Sequence, residues 1–293
     1  LYNILKDNKI DILHTHSSKT GVLGRVIGTF AKVPRVIHTS HGYPFNNYQK
    51  LVIYGCYFFI ERFAGMFCDK MVTVNSEDAD FANKKLKIPK NKVAYIPNGA
   101  TPLEVEPNRD SLASKSEITI GSMSRFWQQK NMIKSVEAAI EACKVDSRLK
   151  FVFVGDGEDL SICQKMVNDS NLQAKISFPG WSSDRDRWLK SFDVFILFSL
   201  WEGLPLGILE AMAHGLPIIA SDIKGNRELV NSANGYLVSP NDIDGLKNIL
   251  IKLFDNKADL ISKGKESLKK VRDEYSMNKF NKNYKNLYRE LTK

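Results

Sequence analysis

Cysteine is scarce in this chain: four in 293 residues, at Cys56, Cys68, Cys143 and Cys163. None forms a C-x-x-C pair or stands near a His pair, which excludes a disulfide-stapled scaffold and a zinc-ribbon site and fits reduced core thiols in the cytosol. Long apolar runs are missing too. The most apolar stretch, Leu51 to Cys68, is interrupted by Glu61 and Arg62, so it reads as a buried or membrane-leaning helix and not as a span. No signal peptide, internal repeat or low-complexity segment is present. With 43% apolar and 26% charged residues, disorder, collagen and coiled coil are excluded as well.

What the chain has in excess is positive charge, 42 Lys and Arg against 33 acids. Residues 263–293 hold ten of the former and four of the latter. That tail suits an anionic partner, a membrane surface or lipid phosphate, or else is a solvated cationic helix face. Nucleic acid is set aside because no binding motif accompanies the charge.

Short β-branched runs alternate with helical patterns, the mark of βαβ units and a parallel sheet. IDILHTH, PRVIHTSH and KMVTVNS are strands of a first domain; ITIGSMS, LKFVFVG, AKISFPG, FDVFILFS, PIIASD and GYLVS are strands of a second. Helices are expected over Asn131–Cys143, Asp159–Asp169, Asp184–Ser191 and Leu206–His214. The stretch from Pro97 to Ser116 lacks periodicity and reads as a linker. The expected division is 1–108, 109–276 and a terminal helix over 277–293, whose Met277, Phe280, Tyr284, Leu287 and Leu291 form an apolar stripe. Ligands of two such doubly wound domains bind in a cleft beyond the carboxyl ends of the strands.

Three segments carry chemistry. In SLWEGLPLGILEAMAHGLPIIASDIKGNRE a strand ends, Pro205 opens a helix, and the N–H groups of Gly207, Ile208 and Leu209 form an anion site at its start. Glu202 and Glu210 bracket it with seven residues between them, placed to accept sugar hydroxyls; the alternative is two surface glutamates near a helix start. In ITIGSMSRFWQQKN a strand ends at a small-residue turn before Arg125 and Lys130, a pair able to clamp a diphosphate and to stabilise charge as it departs. In the first domain His14, His16, His38 and His41 sit at two strand ends, where each either faces a substrate or is a satisfied structural histidine. Asp184-Arg185-Asp186 reads as a helix cap and not as a metal-binding D-x-D. Gly155-Asp156-Gly157 lacks the third glycine of a dinucleotide fingerprint.

The run from Glu202 to Glu228 together with GSMSR…QKN, FVGDGED, HSSKTGVLGR, HTSHGYPF and YIPNGA resembles the retaining glycosyltransferases of family 4 with the GT-B fold, over nearly the whole chain. The resemblance implies two Rossmann-like domains facing a cleft and a C-terminal helix crossing back to the first. It implies transfer of a sugar from a nucleotide-sugar, a UDP-sugar by family habit, to a lipid-linked or polysaccharide acceptor in cell-surface glycan synthesis. By position it assigns Arg125 and Lys130 to the diphosphate, Gly207, Ile208 and Leu209 to the β-phosphate, Glu210 to the ribose and Glu202 to the sugar. It assigns His41 to the reacting face of the sugar and the Gly180–Trp181 loop to the base. No metal or cofactor is implied. A cytoplasmic protein with peripheral contact at the inner membrane face is expected, where Phe58, Phe59, Phe63 and Phe67 with Tyr54 and Tyr57 either lean on lipid or belong to the core. The same fold also serves non-catalytic partner subunits and sugar-nucleotide epimerases. Members begin with further strand–helix units, so an incomplete first domain is expected here.

Overall fold

A computed structural model describes residues 1–43, 45–46, 48–104, 107 and 109–292. Pro44 of the HTSHGYPF segment and Val105, Glu106 and Asn108 of the expected linker lie outside the described residues. The chain forms two compact units, one of residues 1–98 with 278–293 and one of residues 99–277.

The first unit contains α1 (Tyr2–Asp7), β1 (Ile12–His16), α2 (Ser18–Phe30), β2 (Arg35–Ser40), α3 (Leu51–Ala64), β3 (Lys70–Thr73), α4 (Ser76–Lys84) and β4 (Val93–Tyr95). Its strands make one parallel sheet in the order β1-β2-β3-β4. The first three are the strands expected from the sequence. β4 was not, because three half-exposed residues at a sheet edge leave no periodicity to read.

Helix α2 owes its position to a stripe of glycines. A methyl group at Gly21 would stand 2.4 Å from the His38 ring, one at Gly24 would stand 2.5 Å from Thr15, and one at Gly28 would stand 2.7 Å from Leu13. The helix therefore lies directly on β1 and β2. Its remaining inward side chain is Arg25, fully buried, which donates to the Gly21 carbonyl at 3.0 Å and to Glu61 of α3 at 2.8 Å. Glu61 breaks the apolar run in order to meet Arg25.

Tyr54, Tyr57 and Phe58 of α3 pack on Phe45, Met71 and Leu86 in the first core, whereas Phe59 and Phe63 turn outward. The aromatic run thus divides between core and surface. No helix among the described residues is long and apolar enough to cross a membrane. The C-terminal helix, labelled α12 below, closes the other side of this sheet with Phe280, Tyr284 and Leu287 against Ile37, Val72 and Ile96.

The second unit runs through β5 (Ile118–Met123), α5 (Met132–Val145), β6 (Leu149–Val154), α6 (Leu160–Asp169), β7 (Ile176–Gly180), α7 (Arg185–Ser191), β8 (Val194–Leu197), α8 (Leu206–Ala213), β9 (Ile218–Ser221), α9 (Asn226–Leu229), β10 (Gly235–Val238), α10 (Ile243–Leu250) and α11 (Lys257–Glu274). Then α12 (Met277–Leu291) enters the first unit. The six strands are parallel in the order β10-β9-β8-β5-β6-β7. Ile120, Phe151, Phe153, Val194 and Ile196 form a core covered by helices, as an all-parallel sheet requires. Leu112, inside the expected linker, is buried in this core.

Candidate active site

The second sheet starts at its centre. From β5 the chain winds outward through β6 and β7, then returns to lay β8 on the other side of β5. The loops leaving the carboxyl ends of β5 and β8 flank the point where the winding reverses, the crevice at which such sheets bind ligands. The β5 loop carries Arg125 and Lys130, and the β8 loop carries Glu202. Lys130 Nζ lies 2.6 Å from Glu202 Oε1, and Glu202 is buried to 8% exposure.

Gln129 fastens the two loops together. Its side-chain amide donates to the Trp201 carbonyl at 2.9 Å, and its own carbonyl accepts from the Leu200 N–H at 2.8 Å. Asn131 then adopts a left-handed conformation, φ 53° and ψ 40°, which asparagine tolerates and which turns the chain into α5. Beneath the β8 loop, Ser221 donates to the Ser199 carbonyl at 2.5 Å and Asn226 donates to the Ser221 carbonyl at 2.9 Å, all three residues being buried.

Helix α8 begins at Leu206 with Pro205 in the capping position and no side-chain cap. The Leu209 N–H, expected as a third anion donor, is spent on the Pro205 carbonyl at 3.3 Å. Gly207 and Ile208 remain as first-turn donors. A methyl group at Gly207 would sit 3.6 Å from Phe195 and 3.8 Å from the Met123 carbonyl, ordinary contacts, so packing does not demand glycine there.

A cavity of about 530 Å³ opens at the ends of β5, β6 and β7, lined by Met123–Arg125, Val154–Gly157, Trp181, Ser182 and Arg185. Arg125 is exposed, its guanidinium 4.9 Å from the Trp127 ring centre. Gly155 and Gly157 have φ of +148° and +150°, and a methyl group on Gly157 would fall 2.3 Å from the Phe126 carbonyl oxygen. The Phe126 N–H donates to the Asp156 carbonyl at 2.9 Å and its own carbonyl accepts from the Asp159 N–H at 3.1 Å. The glycine pair therefore seats the Arg125 loop, which accounts for it without a dinucleotide. Trp181 stands 74% exposed on the cavity wall.

Arg185, which sequence reasoning treated only as part of a helix cap, lines this cavity and forms an ion pair with Glu210. The one available signal was a cation four residues after Trp181. Asp184 caps α7 by accepting the Arg187 N–H at 3.1 Å. Asp186 pairs with Lys190 at 2.5 Å and with His214 at 2.8 Å; Lys190 first and His214 second hold its carboxyl below the usual range. Among the described residues no group of three or more His, Cys, Asp and Glu is placed to hold a metal.

In the first unit, His41 Nε2 lies 3.0 Å from His16 Nδ1 with the rings stacked. His14 bridges the Tyr288 hydroxyl at 2.7 Å and Thr39 Oγ1 at 2.8 Å, and the Tyr284 hydroxyl lies 3.0 Å from the same Thr39 oxygen. His38 meets Thr15 Oγ1 at 3.0 Å beneath α2, a structural role. Burial, helped by the neighbouring His16 and His41, lowers His14 to about 4; burial and the nearby Arg25 lower His38 to about 2. Partial desolvation lowers His16 and His41 as well, with His16 adding to the effect on His41.

The folded state thus holds these rings neutral at pH values where an unfolded chain protonates them, near 6.5. The stability they allow is complete above pH 6.5 and is lost as the pH falls toward 4. The urea midpoint is expected to drop steadily between pH 7 and pH 4.5; a constant or rising midpoint would contradict the neutral cluster.

A family model described as Glycosyl transferases group 1 matches residues 104–271, and one described as Glycosyltransferase Family 4 matches residues 1–102. Over 270 residues the chain is 39% identical to the UDP-Gal:alpha-D-GlcNAc-diphosphoundecaprenol alpha-1,3-galactosyltransferase of Escherichia coli, covering 88% of this chain and 70% of that protein. It is 26% identical over 176 residues to the poly(ribitol-phosphate) alpha-N-acetylglucosaminyltransferase of Staphylococcus aureus, 59% of this chain and 36% of that one. Among solved structures, Anabaena HepE in complex with UDP superimposes with a TM-score of 0.83 at 16% identity, over 99% of this chain and 80% of that one. A TarM mutant of S. aureus in complex with Fondaparinux, alpha-GlcNAc-glycerol and UDP gives 0.83 at 19%, over 98% of this chain and 58% of that one. These likenesses establish the GT-B fold.

Proposed function

The chain belongs to the glycosyl transferases group 1 family, and from that premise we propose that it moves a hexose, with retention at C1, from a UDP-sugar to a sugar on a lipid diphosphate during surface-glycan synthesis. The observation that carries this reading is the Lys130–Glu202 pair at the β5–β8 crevice, a phosphate cation and a hydroxyl acceptor on facing loops. The galactosyltransferase relative, whose name gives UDP-Gal as donor and a diphosphoundecaprenol sugar as acceptor, supports the choice of substrates.

In this reading Arg125, Lys130 and the Gly207 and Ile208 N–H groups hold the diphosphate. Trp181 stacks on the base, Glu210 accepts from the ribose and Glu202 from the transferred sugar. The bond from C1 to the β-phosphate oxygen breaks as the acceptor oxygen joins C1 from the same face. The acceptor proton passes to the departing phosphate. Positioning and preorganised charge carry the rate, with no metal and no protein nucleophile.

Calorimetric titration with UDP, GDP, ADP and NADH tests it. UDP is expected to bind with preference, and Lys130→Ala is expected to weaken it about tenfold or more. A folded chain that binds none of the four overturns the proposal.

A further inference from the structure

Helix α3 has two unlike faces. Tyr54, Tyr57 and Phe58 pack half-buried against the core, and Glu61, buried, meets Arg25. The opposite side carries Val52, Cys56, Phe59, Ile60 and Phe63, with Met66 following in the next turn, and all are exposed, Phe59 to 67% and Phe63 to 53%. At about 100° per residue these positions fall along one stripe. So many large apolar groups together outside a core mark an interaction surface.

Charge identifies the partner. Exposed Lys50 precedes the helix and exposed Arg62 flanks the stripe, while the one carboxylate of the helix, Glu61, is turned inward. The unit that bears this face holds 19 Lys and Arg against 8 Asp and Glu, net +11, and the other unit is net −2. The cationic excess of the chain therefore belongs to the unit that bears the apolar stripe. A second copy seated α3 against α3 would set Lys50 and Arg62 against their own kind, since neither helix turns a carboxylate outward.

We propose that α3 rests on an anionic lipid bilayer, its aromatic stripe in the acyl boundary and its two cations at the headgroup phosphates. Fourteen residues reach about 21 Å, short of the ~30 Å apolar thickness, so the helix lies in the surface plane. The inference deepens the proposed function and rests on it only for what the surface brings: a lipid-diphosphate acceptor held in the same plane.

Cys56 provides the test, since it lies on the stripe and is exposed. The other three thiols are buried, and burial pushes Cys68 up to about 11 and Cys143 and Cys163 up to about 12. An environment-sensitive thiol dye on Cys56 is expected to shift to the blue and to be quenched by brominated lipid with phosphatidylglycerol vesicles, and not with phosphatidylcholine. Phe59→Ser combined with Phe63→Ser is expected to weaken partitioning about tenfold or more, and Arg62→Glu to weaken it as well, with UDP affinity unchanged in both. A dye that ignores anionic vesicles overturns the proposal, whether or not the protein sediments with them. So does a dye already shielded before lipid is added, in a dimer by sedimentation or under another part of the chain. Insertion by a chain that binds no nucleotide keeps the surface and overturns the transfer reaction.

Discussion

Lys130→Ala is expected to lower kcat/KM about 100-fold or more, the loss that follows removal of one preorganised charge donor, about 2.7 kcal/mol. The side chain stands 2.6 Å from Glu202 in the crevice where the two halves of the second sheet part. Its removal does two separable things. It takes a cation from the diphosphate, which is expected to weaken UDP binding about tenfold or more. It also leaves the Glu202 carboxylate buried without its partner, at a stability cost of about 1–3 kcal/mol. The double change Lys130→Ala with Glu202→Ala separates these effects. It is expected to regain stability over Lys130→Ala, because no charge is stranded, and to remain as inactive. Wild-type turnover and UDP affinity in Lys130→Ala would remove this lysine from the site altogether.

The second large effect lies far from the crevice in character. Arg25→Met is expected to destabilise the protein by about 3–5 kcal/mol, the usual consequence of stranding one partner of an enclosed ion pair. Both side chains are almost wholly sealed, and Arg25 Nη1 finds no hydrogen-bond partner among the described residues. An imperfectly satisfied pair of this kind is replaceable. Arg25→Met with Glu61→Leu is expected to be far more stable than either change alone. Urea unfolding of the three variants decides it; equal midpoints for Arg25→Met and wild type would show that the pair holds nothing together.

Much of this was legible in advance. Nine of the ten strands among the described residues were, because parallel strands buried on both faces read as β-branched runs between turn residues. So were the loops that carry Arg125, Lys130 and Glu202, since the polar residues that follow such strands stand at the ligand end of the sheet. What escaped depends on distant partners. Glu61 looked like an interruption because Arg25 lies 36 positions away, and Arg185 looked like a cap because Glu210 lies in the following helix. Phe58 and Phe59 are neighbours in sequence, yet the first packs half-buried on the core and the second is exposed, a distinction made by one helical step and by which side the core lies on. Gly155 and Gly157 invite comparison with a dinucleotide fingerprint, yet the backbone that presses on them is the one bearing Arg125.

The C-terminal helix has a consequence for how the molecule comes to exist. The second unit is one continuous stretch, 99–277, whereas the first borrows its closing element from residues 278–293. A chain emerging from the ribosome can complete the later unit while the earlier one still waits, with Ile37, Val72 and Ile96 uncovered until Phe280, Tyr284 and Leu287 arrive. Loss of these turns to a protease or a premature stop then reaches back across some two hundred residues to strands synthesised well before them. It exposes a sheet face that synthesis itself leaves bare until the helix is made.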